Sequence, residues 1–114
     1  MRQTASSGSS KAIWLNRKIL LEKLREVSEE ARKAFPEIKE IRLIGSLARK
    51  EETGLSDVDL FIISETKETN PLERIKPYFY FFADRINIAI NIIVASPEEI
   101  SNFIKMLEPS IILA

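Results

Sequence analysis

Hydrophobic positions follow a helical period in the first part of the chain and a strand pattern after it. From about Ala12 to Phe35 they recur at the spacing of an amphipathic helix. Its apolar stripe is expected to cover the domain's own sheet, although it could also dock on a partner. Pro36 ends this helix, and the isoleucine-rich run Ile38 to Ile44 predicts a first strand. A helix and a strand therefore open the fold.

The middle of the chain predicts a second strand and a second helix. Asp57 to Ser64 has the β-branched and aromatic content of a strand. Asn70 and Pro71 place a favoured N-cap residue before proline at the first helical position, and Pro77 is expected to interrupt or shorten the helix that follows. The aromatic run Tyr78 to Phe82 could stack on a nucleobase. Core packing is the favoured interpretation, because five consecutive side chains cannot all face one ligand.

The last third of the chain predicts another strand and another helix. From Ile86 to Ala95 the even positions are all apolar, so one strand face belongs to the core and the other is mixed. Ser96 to Glu99 forms a capping box and opens a helix to about Leu107. The apolar ending Ile111 to Ala114 is consistent with burial on the core, a partner helix or a homodimer. Together the elements predict an α/β (α+β) fold, a small mixed β-sheet covered by helices.

The length of the chain indicates one domain. A chain of 114 residues can bury a core unaided but is too short for separate catalytic and substrate domains. Residues 1–10 are polar and serine-rich and predict a disordered tail, which leaves residues 11–114 as the domain. No apolar stretch typical of a signal peptide or a membrane span occurs, so a cytoplasmic protein without membrane contact is expected.

The charge balance and the absence of two residue types exclude several kinds of ligand and catalytic site. Seventeen basic residues balance seventeen acidic ones, so no overall field favours general binding of nucleic acid. The absence of cysteine and histidine excludes disulfides, thiolate zinc sites, a Ser-His-Asp triad and a histidine general base. Acid–base catalysis would therefore depend chiefly on carboxylates.

One turn and one acidic pair carry the candidate chemistry. The first strand ends at Gly45, where the chain can bend sharply and bring backbone N–H groups close to an anion. Ser46 adds a hydroxyl donor and begins a short helical turn that is predicted to end at Lys50. Asp57 and Asp59 lie on one face of the second strand, because side chains alternate along a strand. Two converging carboxylates suit Mg²⁺, which prefers oxygen ligands.

These residues belong to a longer pattern. The segment from Gly45 to Leu60 matches Gly-Ser-x-Ala-Arg-x-Glu-x-x-Gly-x-Ser-Asp-x-Asp-Leu without a gap. By this pattern the chain resembles the nucleotidyltransferase superfamily typified by DNA polymerase beta, and most closely its minimal nucleotidyltransferase (MNT) domains. A pattern of this length outweighs the alternative in which the acidic pair only solvates a strand end.

The resemblance implies a nucleotidyltransferase fold and a role for single residues. Gly45 and Ser46 would contact the phosphates of a nucleotide. Arg49 either reaches a phosphate or remains a solvated surface charge. Asp57 and Asp59 would be catalytic residues that bind the Mg²⁺ cofactor.

The third carboxylate of the family's site is missing. It is expected on the mixed face of the third strand, where this chain has Asn91. An asparagine oxygen can ligate a hard cation, but it brings no negative charge and cannot act as a general base. Asp84, the remaining aspartate, precedes that strand and is not expected to substitute.

Two functions of different class follow, together with a third interpretation. The first is an enzyme that transfers a nucleoside monophosphate, with ATP as the favoured donor, to a hydroxyl acceptor. The resemblance implies a HEPN-domain protein as partner and acceptor, as in toxin–antitoxin pairs. The second is a catalytically degenerate module that binds a nucleotide or a partner protein. The third is a structural domain in which the acidic pair is incidental.

Overall fold

A computed structural model describes residues 17–48 and 57–114 of the protein. Helices and strands alternate and surround one four-stranded sheet. In chain order the elements are α1 (Arg17–Ala34), β1 (Ile38–Ile44), α2 (Gly45–Ala48), β2 (Val58–Ser64), α3 (Pro71–Ala83), β3 (Ile90–Ala95), a 3₁₀ helix (Pro97–Leu107) and β4 (Ile111–Ile112). The predicted mixed fold of helices on a small sheet is confirmed.

The sheet combines antiparallel and parallel pairing. Its strand order is β3-β2-β1-β4, with β1 antiparallel to both β2 and β4, and β2 parallel to β3. Ile44 at the end of β1 pairs with Asp59, which in turn pairs with Asn91. The last residue of β1 and the second residues of β2 and β3 therefore form one row across the sheet.

Each face of the sheet has its own apolar cover. One face packs against α1 and α3. The core on this face includes Leu24, Leu60 and Phe82, each of which is 0% exposed. The opposite face packs against the 3₁₀ helix, where the rings of Phe61 and Phe103 meet edge to face at 5.4 Å. The stripe of α1 thus covers the domain's own sheet, as predicted. None of the helices in the described part of the chain is long and apolar enough to cross a membrane.

Helix α3 begins as predicted and continues further than predicted. The side chain of Asn70 accepts hydrogen bonds from two first-turn backbone N–H groups at 3.0 and 3.3 Å. Pro77 lies inside the helix without ending it, so the expected interruption was wrong. Proline removes one helical hydrogen bond, but Tyr78 and Phe82 beyond it are buried and hold the second half of the helix on the core.

The third strand is shorter than its hydrophobic alternation predicts. Strand β3 begins at Ile90 instead of Ile86, because its parallel pairing with β2 begins only at Val58. Ile86 is nevertheless 2% exposed, and Ile88 packs against the same core. The alternation before Ile90 therefore reflects burial without strand pairing.

The predicted last helix has a tighter winding than expected. The Glu99 carboxylate accepts a hydrogen bond from the backbone N–H of Ser96 at 2.9 Å, as a capping box predicts, but the segment is a 3₁₀ helix and not an α-helix. Ile100 and Phe103 both pack on the sheet, and their three-residue separation suits three residues per turn. Arg74 on α3 forms an ion pair with Glu99 at 2.8 Å. The Ser96 N–H and the Arg74 guanidinium hold the pKa of Glu99 below its usual value.

The C-terminal apolar segment packs on the protein's own sheet. Strand β4 pairs with β1 through Arg42 and Leu43, and Leu113 is 5% exposed. Burial on the core, one of the three interpretations of this segment, therefore accounts for Leu113, whereas Ile112 is 55% exposed.

The aromatic run in α3 is divided between the core and the surface. Tyr78 and Phe82 are buried, whereas Tyr80 is 64% exposed. The Tyr78 hydroxyl donates to the Glu37 carboxylate at 2.8 Å and lies 2.9 Å from the buried Ser64 hydroxyl, which donates to it. Core packing is thus confirmed for part of the run.

We expect Tyr78 to titrate at unusually high pH. Burial, together with its bond to the Glu37 carboxylate, raises its pKa from 10.0 to about 12, and the Ser64 donor opposes this only in part. The chain has two tyrosines, so Tyr80→Phe leaves Tyr78 alone to be followed by ultraviolet absorbance.

The same shift predicts a loss of stability at alkaline pH. Because the folded pKa lies above the unfolded one, the contribution of Tyr78 is fully present below pH 10.0 and is lost as pH rises toward about 12. Denaturant unfolding across this pH range measures the free energy of unfolding, and the loss should be absent in Tyr78→Phe. A Tyr78 midpoint near 10.0 in the folded protein would contradict the expectation.

Candidate functional site

The predicted acidic pair lies where β2 begins, beside the start of β3. Asn91 Nδ2 donates to Asp59 Oδ1 at 3.0 Å and approaches Asp57 Oδ2 at 3.4 Å. Asp57 is exposed and Asp59 is partly buried. Strand alternation thus places both carboxylates on one face, as predicted, and the parallel register brings Asn91 between them.

Gly45 brings the end of β1 against this acidic pair. Its φ of +77° lies in the left-handed region, which strongly favours glycine. A Cβ atom at this position would lie 2.2 Å from Asp59 Oδ2 and 3.1 Å from its Cγ. Both the backbone conformation and the close approach of the carboxylate therefore require glycine here.

The predicted helical turn after Gly45 is the short helix α2. It begins at Gly45, one residue before the predicted start at Ser46, and is described to Ala48, whereas the predicted end at Lys50 lies outside the described residues. Leu47 and Ala48 are 5% and 8% exposed and anchor the turn in the core. Arg49, the third predicted phosphate-binding residue, lies outside the described residues.

A cavity of about 270 Å³ opens beside these residues. Its polar part consists of Gly45, Asp59 and Asn91, and its apolar part consists of Ile44, Leu60, Ile93 and Met106. Met106 comes from the 3₁₀ helix and is 46% exposed. Sequence reasoning did not identify Ile93 or Met106. No local pattern shows that the end of the 3₁₀ helix lies beside Asp59 and Asn91.

The donor set formed by Asp57, Asp59 and Asn91 fits one divalent cation. Two carboxylate oxygens share the Asn91 amide group, so they are close enough to share a cation, and Mg²⁺ is commonly held by one or two carboxylates. Within residues 17–48 and 57–114, no cluster of three or more Asp, Glu, His or Cys side chains could hold a metal. Asp84 caps α3 and lines a separate cavity, so it supplies no third carboxylate here.

The acidic pair has no cationic partner within the described parts of the chain, since Asp57 and Asp59 form no ion pair with any lysine or arginine there. The Asn91 amide is a neutral donor, so among the described residues it binds the two carboxylates without compensating their negative charge. An arrangement of this kind attracts a cation more strongly than a salt-bridged pair would.

Comparison with known proteins identifies the fold and the family of the chain. The fold is similar to the crystal structure, at 1.40 Å resolution, of a protein from Sulfolobus solfataricus described as a candidate nucleotidyltransferase, with a TM-score of 0.61 and 23% identity over 98% of this chain and 89% of that chain. No curated protein sequence matches the chain significantly. A family model described as a nucleotidyltransferase domain matches residues 24–111, which include Gly45, Asp57, Asp59 and Asn91. The chain therefore belongs to the nucleotidyltransferase domain family.

Proposed function

We propose that this protein is a Mg²⁺-dependent nucleotidyltransferase that transfers a nucleoside monophosphate, AMP from ATP, to a hydroxyl group. The observation that carries the proposal is the convergence of the Asp57 and Asp59 carboxylates on the Asn91 amide, next to a cavity that Gly45, Asp59 and Asn91 line. Membership of the family supports transferase chemistry in general. The nucleotide, the metal and the acceptor are the specific parts of the proposal.

In the proposed reaction the acidic pair binds the cation and the turn after Gly45 binds phosphate. Bound Mg²⁺ would neutralise charge on the phosphate oxygens. Asp57 and Asp59 would hold the cation, and the backbone after Gly45, with Ser46, would bind phosphate. The acceptor oxygen bonds to the α-phosphorus as the bond to pyrophosphate breaks. Its proton passes to a carboxylate or to solvent, because Asn91 cannot accept it.

The apolar part of the cavity supports a substrate with an uncharged portion. Ile93 and Met106 line the cavity, where they would contact sugar or base atoms and exclude water. A methionine at such a wall adapts to different shapes, because its side chain is unbranched and polarizable. The cavity is slightly smaller than the range of about 300–1,000 Å³ usual for ligand sites, so part of the nucleotide would extend beyond it.

We propose a partner protein in the cytoplasm as the acceptor, with a HEPN-domain protein as the first candidate. This part of the proposal depends on the resemblance to MNT domains. Asp57 is exposed, so a docked partner would bring its own hydroxyl to the acidic pair. Incubation with a purified HEPN-domain protein and labelled ATP would reveal the transfer.

A second candidate function is nucleotide or partner binding without catalysis. Asn91 favours it, because the position that should carry a third carboxylate instead donates hydrogen bonds to the other two. Such a protein would bind Mg²⁺–ATP and yet release no pyrophosphate. A pyrophosphate-release assay on the unmodified protein separates the two functions.

We expect calorimetric titration of Mg²⁺–ATP to give saturable binding that depends on the acidic pair. In the double variant Asp57→Asn/Asp59→Asn the affinity should fall at least about tenfold, because both charged ligands of the cation are lost. Asp84→Asn is the matched control, since it makes the same change at an exposed aspartate in a separate cavity.

Two results would count against the proposal. Unchanged affinity in the double variant would show that ATP binds elsewhere. An unmodified protein that binds no Mg²⁺–ATP would remove the nucleotide chemistry altogether and favour a role in protein interaction.

A further inference from the structure

Arg17, at the start of α1, is bonded to the turn that precedes the acidic pair. Its guanidinium donates to the Leu47 carbonyl oxygen from Nη2 at 3.2 Å and from Nε at 3.4 Å. The two residues lie thirty positions apart in the chain. Sequence analysis gave Arg17 no role, because only the packing of α1 against the turn brings it there.

The position of this contact matters because Leu47 lies in α2, the helical turn that begins at Gly45. The side chains of Leu47 and Ala48 are buried and fix the depth of the turn, but apolar contacts are not directional. The two N–H groups of Arg17 fix the direction of the Leu47 carbonyl and hence the rotation of the turn.

The rotation of α2 sets the distance between its first residue and the acidic pair. Gly45 approaches Asp59 so closely that no Cβ atom fits between them. A change in the tilt of α2 would therefore move the backbone N–H groups after Gly45 relative to the carboxylates. Asp59 lies in β2 and Asp57 directly precedes it, so a tilt of α2 would leave both carboxylates in place.

We propose that Arg17 is a positioning residue that holds the phosphate-binding turn in register with the acidic pair. This inference rests on the proposed function. Arginine suits the task better than lysine, because a planar guanidinium directs several donors in a fixed geometry whereas an ammonium is a mobile point charge. Loss of Arg17 should weaken the binding of the nucleotide and leave the binding of the cation alone intact.

Arg17→Met tests the proposal, since methionine keeps the apolar stem and removes the donors. Arg25→Met is the matched control, because it removes the same charge from an exposed position of α1. We expect Arg17→Met to weaken Mg²⁺–ATP binding about tenfold by calorimetry, as loss of charge-assisted hydrogen bonds does. Titration with Mg²⁺ alone should give the same affinity in all three proteins.

Hydrogen exchange supplies a readout that does not depend on the nucleotide. The amides of Leu47 and Ala48 should exchange faster in Arg17→Met than in Arg25→Met, while the amides of β2 keep their protection. Arg17→Lys should fall between the unmodified protein and Arg17→Met in ATP affinity, because an ammonium can replace only part of the contact.

Three results would overturn the inference. Equal ATP affinity in Arg17→Met and Arg25→Met would show that the contact is not needed. Weaker ATP binding without faster exchange in α2 would show that Arg17 binds the nucleotide itself. Weaker binding of Mg²⁺ alone would show general damage to the site. If the unmodified protein binds no Mg²⁺–ATP, the proposed function fails first, and exchange then reports only whether Arg17 holds α2.

Discussion

Replacing Asn91 with aspartate is expected to raise the rate of nucleotidyl transfer by about 100-fold or more, since general-base catalysis contributes about 10²–10⁴-fold. The substitution adds the missing carboxylate in the row where Asn91 already contacts Asp57 and Asp59. A third carboxylate strengthens the hold on a divalent cation and can accept the proton of the acceptor hydroxyl. Pyrophosphate release with Mg²⁺ and ATP, in the presence of acceptor, measures the gain.

Asn87→Asp is the matched control for this experiment. It introduces the same charge at an exposed position before β3, so a general effect of negative charge would appear in both variants. A gain confined to Asn91→Asp would identify a site disabled by one substitution. Full turnover by the unmodified protein, with no gain from Asn91→Asp, would contradict the prediction and also exclude the binding-only function.

The same substitution should make stability depend on the cation. Without metal, Asn91→Asp replaces an amide donor by a third negative charge, so the variant should melt below the unmodified protein. With Mg²⁺ the order should reverse, because a ligand that binds only the folded state stabilises it. Thermal melts in chelator and in Mg²⁺ measure this, and a melting difference that is the same in both buffers would argue against a shared cation.

Gly45→Ala is expected to have the second large effect, on both stability and binding. Forcing a Cβ atom into the left-handed region costs about 1–2 kcal/mol. The new atom would also lie 2.2 Å from the present position of Asp59 Oδ2, so that carboxylate must rotate away from Asn91. Denaturant unfolding should show the lost stability, and calorimetry should show weaker binding of Mg²⁺.

Gly45→Asn separates the cost of the left-handed backbone from the clash of a Cβ atom with Asp59. Asparagine tolerates the left-handed region better than alanine, so part of the stability should return. It still carries a Cβ atom beside Asp59, so Mg²⁺ binding should stay weak. If Gly45→Ala binds Mg²⁺ as tightly as the unmodified protein does, the close approach of this turn to Asp59 has no role in the site.

Local geometry explains which parts of the site could be read from the sequence. The alternation of side chains along a strand depends only on the backbone, so Asp57 and Asp59 could be placed on one face before any partner strand was known. The cap formed by Asn70 is equally local, because it involves the next three residues. Gly45 was recognisable because a left-handed turn against a strand end requires a particular residue type.

Local patterns failed where a distant segment decided the outcome. Proline was expected to break α3, yet buried aromatic residues beyond Pro77 keep the helix intact. The alternation from Ile86 predicted strand pairing where there is only burial, because β2 offers no partner before Val58.

By itself, the sequence determined the family pattern, the mixed fold and the acidic pair with its missing third carboxylate, since each depends on residue type and short spacing. Only the tertiary structure placed the Asn91 amide between the two carboxylates, Met106 at the cavity wall and Arg17 on the Leu47 carbonyl. The reason is physical, because strand register and helix packing are set by the burial of the whole core, to which residues far apart in the chain contribute together.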